Sequence, residues 1–251
     1  MARRQTPAFI LRTVDYGDYH VIAHLLGRDT GRISAIAHGA RSSKRRFGGA
    51  LEPLRVVEAT VSPPKSGDLY RLEQLDVDQD FPGIDKRIET ITAASYATDL
   101  TRVTWREGTD AGPVFALLRQ CYERLPNCPT NPAILRLVHQ FEFGLLDLLG
   151  SAPSIHHCSR CGADPKSMDK LRFSRRGEGL LCGDCRHRND VVGIVRPTTL
   201  QLLHHLADPD EPMPDEDPEA AISQAGRIIA NAVEQVVERN LVSRQMLYEL
   251  L

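Results

Sequence analysis

Four cysteines in two pairs, Cys158-Ser159-Arg160-Cys161 and Cys182-Gly183-Asp184-Cys185, carry the clearest chemistry in the chain. Two residues lie between the thiols of each pair, and twenty residues separate the pairs. The spacing suits a metal ion of tetrahedral preference, zinc above all, because each short knuckle delivers two thiolates to one ion. Four thiolates complete that shell and leave no position for a reactive water, so one structural zinc ion is expected, not a catalytic one. The competing reading is a set of redox-active or disulfide-forming pairs. The chain opens Met1-Ala2-Arg3-Arg4-Gln5-Thr6-Pro7 without an apolar stretch of signal-peptide length, which points to a reducing, cytoplasmic setting where paired thiols favour metal. Gly162, Gly179 and Gly183 flank the cysteines, where tight turns call for glycine. Cys121 and Cys128 lack this spacing and read as ordinary thiols.

A second segment, Gly39-Ala40-Arg41-Ser42-Ser43-Lys44-Arg45-Arg46-Phe47-Gly48-Gly49, concentrates cations between glycines. Arg41, Lys44, Arg45 and Arg46 suit a mobile loop that folds over phosphates, and Phe47 is placed to stack on a base. The plainer alternative tucks Phe47 into the neighbouring domain. The net charge of -2 hides a separation of signs along the chain. Residues 1–46 carry nine Lys or Arg against three Asp or Glu, and residues 156–196 carry nine against five. Residues 208–219 are acidic and proline-rich with no basic residue, a linker that is either disordered or an internal competitor for a basic groove. Two basic regions are the electrostatic footprint of a polyanion.

The elements that must position these groups follow from periodicity. Five short aliphatic and β-branched runs, Ala8 to Val14, His20 to Leu26, Arg32 to Ala37, Leu54 to Val61 and Leu69 to Val77, alternate with turn signals and predict a small closed barrel. A five-stranded OB-fold fits, and an SH3-like barrel fits almost as well. After Phe81-Pro82-Gly83 the period becomes helical, with Ile84, Ile88 and Ile91 on one face. Ala133 to Leu149 reads as a buried helix carrying Ile134, Leu137, Val138, Phe141, Leu145 and Leu148. Helices are also expected at Thr198 to Leu206 and Glu219 to Glu238, the latter with an Ile222, Ile229, Val233, Val236 stripe packed against 133–149. The fold class is therefore α+β: an OB-fold barrel over 1–80, then a helical domain over 81–155 and 191–251, with a zinc module inserted at 156–190. No apolar run is long enough to cross a bilayer, so a soluble protein without a membrane role is expected.

Missing motifs narrow the function. The chain has no G-x-x-x-x-G-K-[ST], H-E-x-x-H or G-x-S-x-G, and no His-x-Glu with Pro-Cys-x-x-Cys, which disfavours P-loop motors, zinc proteases, α/β-hydrolases and zinc deaminases. Asp76, Asp78 and Asp80 could bind Mg²⁺ for nuclease work, but their spacing equally describes the polar face of a strand end.

The chain resembles the RecO family of bacterial recombination mediators over nearly its whole length. The resemblance rests on Ile10-Leu11-Arg12, Tyr16-Gly17-Asp18, Leu25-Leu26, Gly31 to Ala37, Gly39-Ala40-Arg41 and Phe47 to Pro53 in the barrel. It continues through Phe141 to Gly150, Cys158 to Gly162, Phe173-Ser174, Gly179 to Cys185 and Leu241-Val242-Ser243-Arg244. It implies a non-enzymatic protein that binds single- and double-stranded DNA and anneals complementary strands. It also implies work with RecR to help RecA replace single-stranded-DNA-binding protein, whose acidic, apolar-tipped C-terminal tail docks on the helical domain. His38 departs from the family, where a lysine is common before Gly-Ala-Arg. On this reading Arg41, Lys44, Arg45 and Arg46, with Arg3, Arg4 and the Arg175-Arg176 pair, neutralise phosphates on two strands. A zinc-ribbon accessory factor of transcription or replication, without annealing activity, is the alternative.

Overall fold

The computed structural model describes residues 3–64, 66–165, 170–186, 191–215, 218–237 and 240–251. The chain divides into two compact units, Met1–Asn127 and Cys128–Leu251.

In the first unit the alternating runs become β1 (Arg4–Tyr16), β2 (His20–Gly27), β3 (Gly31–Ala37), β4 (Arg55–Ser62) and β5 (Tyr70–Asp80), with a short helix α1 (Lys44–Phe47) between β3 and β4. They close in the order β1-β2-β3-β5-β4, with β3 and β5 parallel and the other pairs antiparallel. This is the OB-fold arrangement and excludes the SH3-like alternative. β1 reaches both neighbours by shifting register between Ile10 and Arg12, a bulge that bends it from β4 onto β2. Strict alternation fills the interior with Ala8, Ile10, Ala23, Leu25, Ile33, Ala35, Val57, Ala59 and Val61.

Two helices, α2 (Ile88–Thr104) and α3 (Gly112–Arg124), belong to the same unit as the barrel. Phe9 leaves the barrel's outer surface and packs its ring 5.0 Å from Phe115 and 5.3 Å from Tyr122 of α3. Arg32 of β3 donates to the carbonyls of Arg102 (2.9 Å) and Trp105 (2.8 Å), placing a cation at the C-terminal end of α2. The face of α2 differs from the isoleucine reading. Ile88 is 57% exposed, whereas Ala93, Ala94, Ala97 and Leu100 are buried. Small residues let the helix approach its neighbours closely, and the buried Thr98 and Thr101 hydroxyls are satisfied by carbonyls of Ala94 and Ala97, both at 2.8 Å.

The second unit is built on α4 (Asn131–Leu148), α5 (Pro197–Ala207) and α6 (Pro218–Val236), which pack pairwise, and ends with α7 (Val242–Leu250). Thr130 caps α4 by accepting from Ala133 N, and Pro132 occupies its first turn. Ile222, Ile229 and Val233 are buried on α6, while Val236 is only partly so. Glu238, the expected end of that helix, lies outside the described residues. Between α4 and α5 a three-stranded sheet, β6 (Arg172–Ser174), β7 (Leu180–Leu181) and β8 (Val191–Ile194), is ordered β7-β6-β8. The acidic segment is described at 208–215, where Gln201 Nε2 donates to Met213 O (3.4 Å) and His205 lies 2.7 Å from Glu211 O, so this part folds back on α5. Glu216 and Asp217 lie outside the described residues. Among the described residues no helix is long and apolar enough to cross a membrane.

Candidate metal centre and nucleic-acid interface

The two knuckles meet. The Sγ atoms of Cys158, Cys161, Cys182 and Cys185 all lie within 4.8 Å of one another, and no other group of three or more metal-ligating side chains occurs among the described residues. Cys161 and Cys182 sulfurs are 3.6 Å apart, far from a disulfide bond of about 2.05 Å and close to the roughly 3.8 Å edge of a tetrahedron with 2.3 Å metal–sulfur bonds. Backbone turns shape the first knuckle: Gly162 N donates to Cys158 O and Cys158 N to Ala163 O, both at 2.9 Å, with Gly162 at φ +74°. Gly179 (φ +133°) lies so close to the backbone of Ser154 that a Cβ would overlap it, and this approach sets the strand that delivers Cys182.

Burial pushes the Cys158 thiol up, but N–H groups of Cys161, Cys182 and Arg160 aimed at its sulfur outweigh that and bring it down to about 6. Cys161 and Cys182 push Cys185 the other way, up to about 12. One thiolate is solvated by backbone while its neighbours resist further negative charge. Four thiolates at this spacing need a cation between them, so the donor set fits a metal ion.

The basic loop is folded. Ser42 N and Ser43 N both donate to Gly39 O, and α1 follows directly, carrying Lys44, Arg45, Arg46 and Phe47. Arg41 forms an ion pair with Asp15 of β1, and its backbone N–H donates to Tyr19 O at 3.3 Å. Arg46 donates to His38 O (2.7 Å) and Ser43 Oγ (3.1 Å) and lies over the Phe47 ring at 5.0 Å. Arg45 is exposed; the side chain of Lys44 lies outside the described residues. Phe47 corrects the stacking expectation: it is 2% exposed and belongs to the barrel core, so its ring is closed to a base. Hydrophobic burial outweighs the cationic company it keeps in sequence.

Models of two domains match the chain, "Recombination protein O N terminal" over residues 1–81 and "Recombination protein O C terminal" over residues 86–245. The chain belongs to the RecO family. A DNA repair protein RecO of Anaeromyxobacter dehalogenans (strain 2CP-C) is 34% identical over 254 residues, covering 100% of this chain and 98% of its own. That of Pelobacter propionicus is 41% identical over 197 residues, 78% of each chain, and that of Myxococcus xanthus 34% identical over 219 residues, 86% of each.

The remaining candidate residues of this RecO-family chain are dispersed. Arg3 precedes β1 and Arg4 opens it opposite Val61; both are exposed. Arg175 and Arg176 lie exposed in the β6–β7 turn, where Arg176 N donates to Ser174 Oγ at 3.2 Å. Asp76, Asp78 and Asp80 lie on β5; Asp76 accepts from Gln74 (2.7 Å) and Asp80 pairs with Arg55 (3.3 Å), a strand's polar face and no metal cluster.

Sequence reasoning misses two features. In the second unit His139 and Glu142 are buried on α4 and joined at 2.9 Å, with Arg244 of α7 3.9 Å from the carboxylate. Beside them opens a cavity of about 580 Å³ lined by Leu135, Ile222, Ala230 and Leu241 and edged by Arg227 and Arg244. In the barrel, Tyr16 (55%) and Tyr19 (62%) stand exposed at the β1–β2 turn, offering the accessible rings that Phe47 does not. The Tyr-Gly-Asp turn is the signal in the sequence that could have pointed to them.

Proposed function

We propose that this chain is a non-enzymatic mediator of DNA repair and recombination, cytoplasmic and nucleoid-associated during repair. It binds single- and double-stranded DNA, anneals complementary strands, and acts with RecR to load RecA where single-stranded-DNA-binding protein covers the strand. The observation that carries this reading is membership of the RecO family together with a closed OB barrel whose β3–β4 connection presents Arg41, Arg45 and Arg46 beside the β1–β2 turn.

Annealing needs no bond made or broken by the protein. Two phosphate backbones repel, and cations held on a rigid barrel lower that repulsion by displacing counterions from each. Residues 1–80 take the nucleic acid in this account. Arg3, Arg4, Arg41, Lys44, Arg45 and Arg46 contribute there, and Arg175 and Arg176 offer cations of their own on the module of 156–190. Asp15 of β1 already pairs with Arg41, so an incoming phosphate replaces a carboxylate.

Cys158, Cys161, Cys182 and Cys185 hold one structural zinc ion, which fixes two knuckles in a segment too small for its own core. The cavity edged by Arg227 and Arg244 suits the tail of single-stranded-DNA-binding protein, since apolar walls take its tip and guanidinium groups its carboxylates.

Binding of a labelled oligonucleotide across a salt series tests the electrostatic core of the proposal. With about five phosphates neutralised on a single strand, log affinity should fall against log salt with a slope of roughly -3.5. Changing Arg41, Lys44, Arg45 and Arg46 to alanine should flatten the slope by about 0.7 for each phosphate that is no longer neutralised. A response insensitive to salt contradicts the mechanism.

A further inference from the structure

The helix α1 is a single turn, and a helix that short has no stability of its own. It is held from both sides. On the entering side Gly39 O accepts from Ser42 N (3.2 Å) and Ser43 N (3.0 Å), and Arg46 closes back on His38 O at 2.7 Å. On the leaving side Phe47 and Ala50 are buried in the barrel core, and Ala50 N donates to Phe47 O at 3.1 Å. From Gly49 the chain still has to turn into β4.

That turn is strained and then tied down. Leu54, immediately before β4, has φ +67° and is the one non-glycine residue in the left-handed region among the described residues. Such a backbone is unfavourable for a bulky side chain and persists where surrounding contacts over-determine it. Arg55, the next residue, supplies those contacts. Its guanidinium donates to Gly49 O at 2.9 Å and pairs with Glu52 at 3.4 Å and with Asp80, at the end of β5, at 3.3 Å. Gly49 O also accepts from Glu52 N at 3.4 Å, so the same carbonyl closes the turn and receives the guanidinium. The Arg55 side chain is 23% exposed against 67% for Glu52 and 61% for Asp80, which marks a cation turned inward and neutralised within the chain. The rigid planar fork of a guanidinium suits such a three-way hold.

We infer that Arg55 is a positioning residue for the nucleic-acid surface: by tying Gly49 to Glu52 and Asp80 it fixes the leaving end of the basic loop and keeps the cations of α1 in place, without touching phosphate itself. This rests on the nucleic-acid reading above and deepens it, since cations ordered in advance lose less freedom on binding. The consequence runs against simple electrostatics. Glu52 and Asp80 repel a polyanion by their charge, yet through Arg55 they support its binding.

The test is anisotropy of a fluorescein-labelled oligothymidylate with the full chain across a salt series. Arg55→Gln should weaken binding about fivefold, roughly the worth of one hydrogen bond, with the salt slope unchanged because no phosphate contact is lost. Glu52→Gln combined with Asp80→Asn leaves Arg55 present but untied, and it should weaken binding too; this variant carries the test should Arg55→Gln fail to fold. Asp78→Asn, which removes a carboxylate of β5 that does not touch Arg55, should not weaken it. Parent-like or tighter binding by the Glu52 and Asp80 double variant overturns the inference alone, because the two carboxylates then only repel. A slope flattened by about 0.7 in Arg55→Gln also overturns it, because Arg55 would then neutralise a phosphate directly. No oligonucleotide binding by the unsubstituted chain overturns it together with the reading on which it rests.

Discussion

The sulfur of Cys158 accepts from the backbone while Cys185 is pushed toward its protonated form by the thiols beside it. That imbalance is what a cation at the centre would remove. Serine at Cys158 and Cys182 takes one donor from each knuckle. The double variant is expected to lose the metal and to melt at lower temperature, checked by metal analysis of the purified protein and by thermal denaturation. One stoichiometric zinc retained by that variant would contradict the assignment. At this scale the gathering of the four sulfurs is legible in the sequence, because the C-x2-C spacing alone places two sulfurs within reach of one point. Phe47 is not, because its neighbours in sequence are cations whereas its neighbours in space are barrel aliphatics.

Elements show the same contrast between local and long-range information. The barrel strands follow from period-two alternation, and α4 from its aliphatic stripe, since each pattern is written in contiguous residues. The buried face of α2 departs from its isoleucines because alanine and threonine do the packing there and carry little hydrophobic signal. His139 and Glu142 escape sequence reasoning because polar residues amid an apolar helix look like its solvent side. Gly226 of α6 explains how they fit. A Cβ there would stand 2.5 Å from Nε2 of His139, so only glycine lets α6 lie against the buried imidazole. Gly226→Ala should therefore destabilise the second unit by about 1–3 kcal/mol, as overpacking of a filled core does. Denaturant unfolding followed by circular dichroism would measure it, and an unchanged midpoint would show that His139 moves aside freely. The meeting of Tyr16 with His20, and of His20 with His38, lies beyond sequence reasoning for a related cause: strand register opposes the first two, and the turn after β3 sets the third against His20.

Across the whole molecule a net charge of -2 coexists with cations gathered on the barrel and around the cysteines. A protein of small total charge can present a local phosphate-binding surface without binding polyanions over its whole exterior. The central claim is that this surface accelerates strand pairing. The most direct measurement is the rate at which two complementary fluorescent oligonucleotides anneal without ATP. The strands should be bare, coated with single-stranded-DNA-binding protein, or coated with a form of it lacking the C-terminal tail. The account predicts faster annealing of bare and coated strands, loss of the effect when Arg41, Lys44, Arg45 and Arg46 become alanine, and a weaker effect on strands coated with the tail-less form. Annealing no faster than the spontaneous rate in every condition would contradict it and leave a zinc-bearing adaptor as the better description.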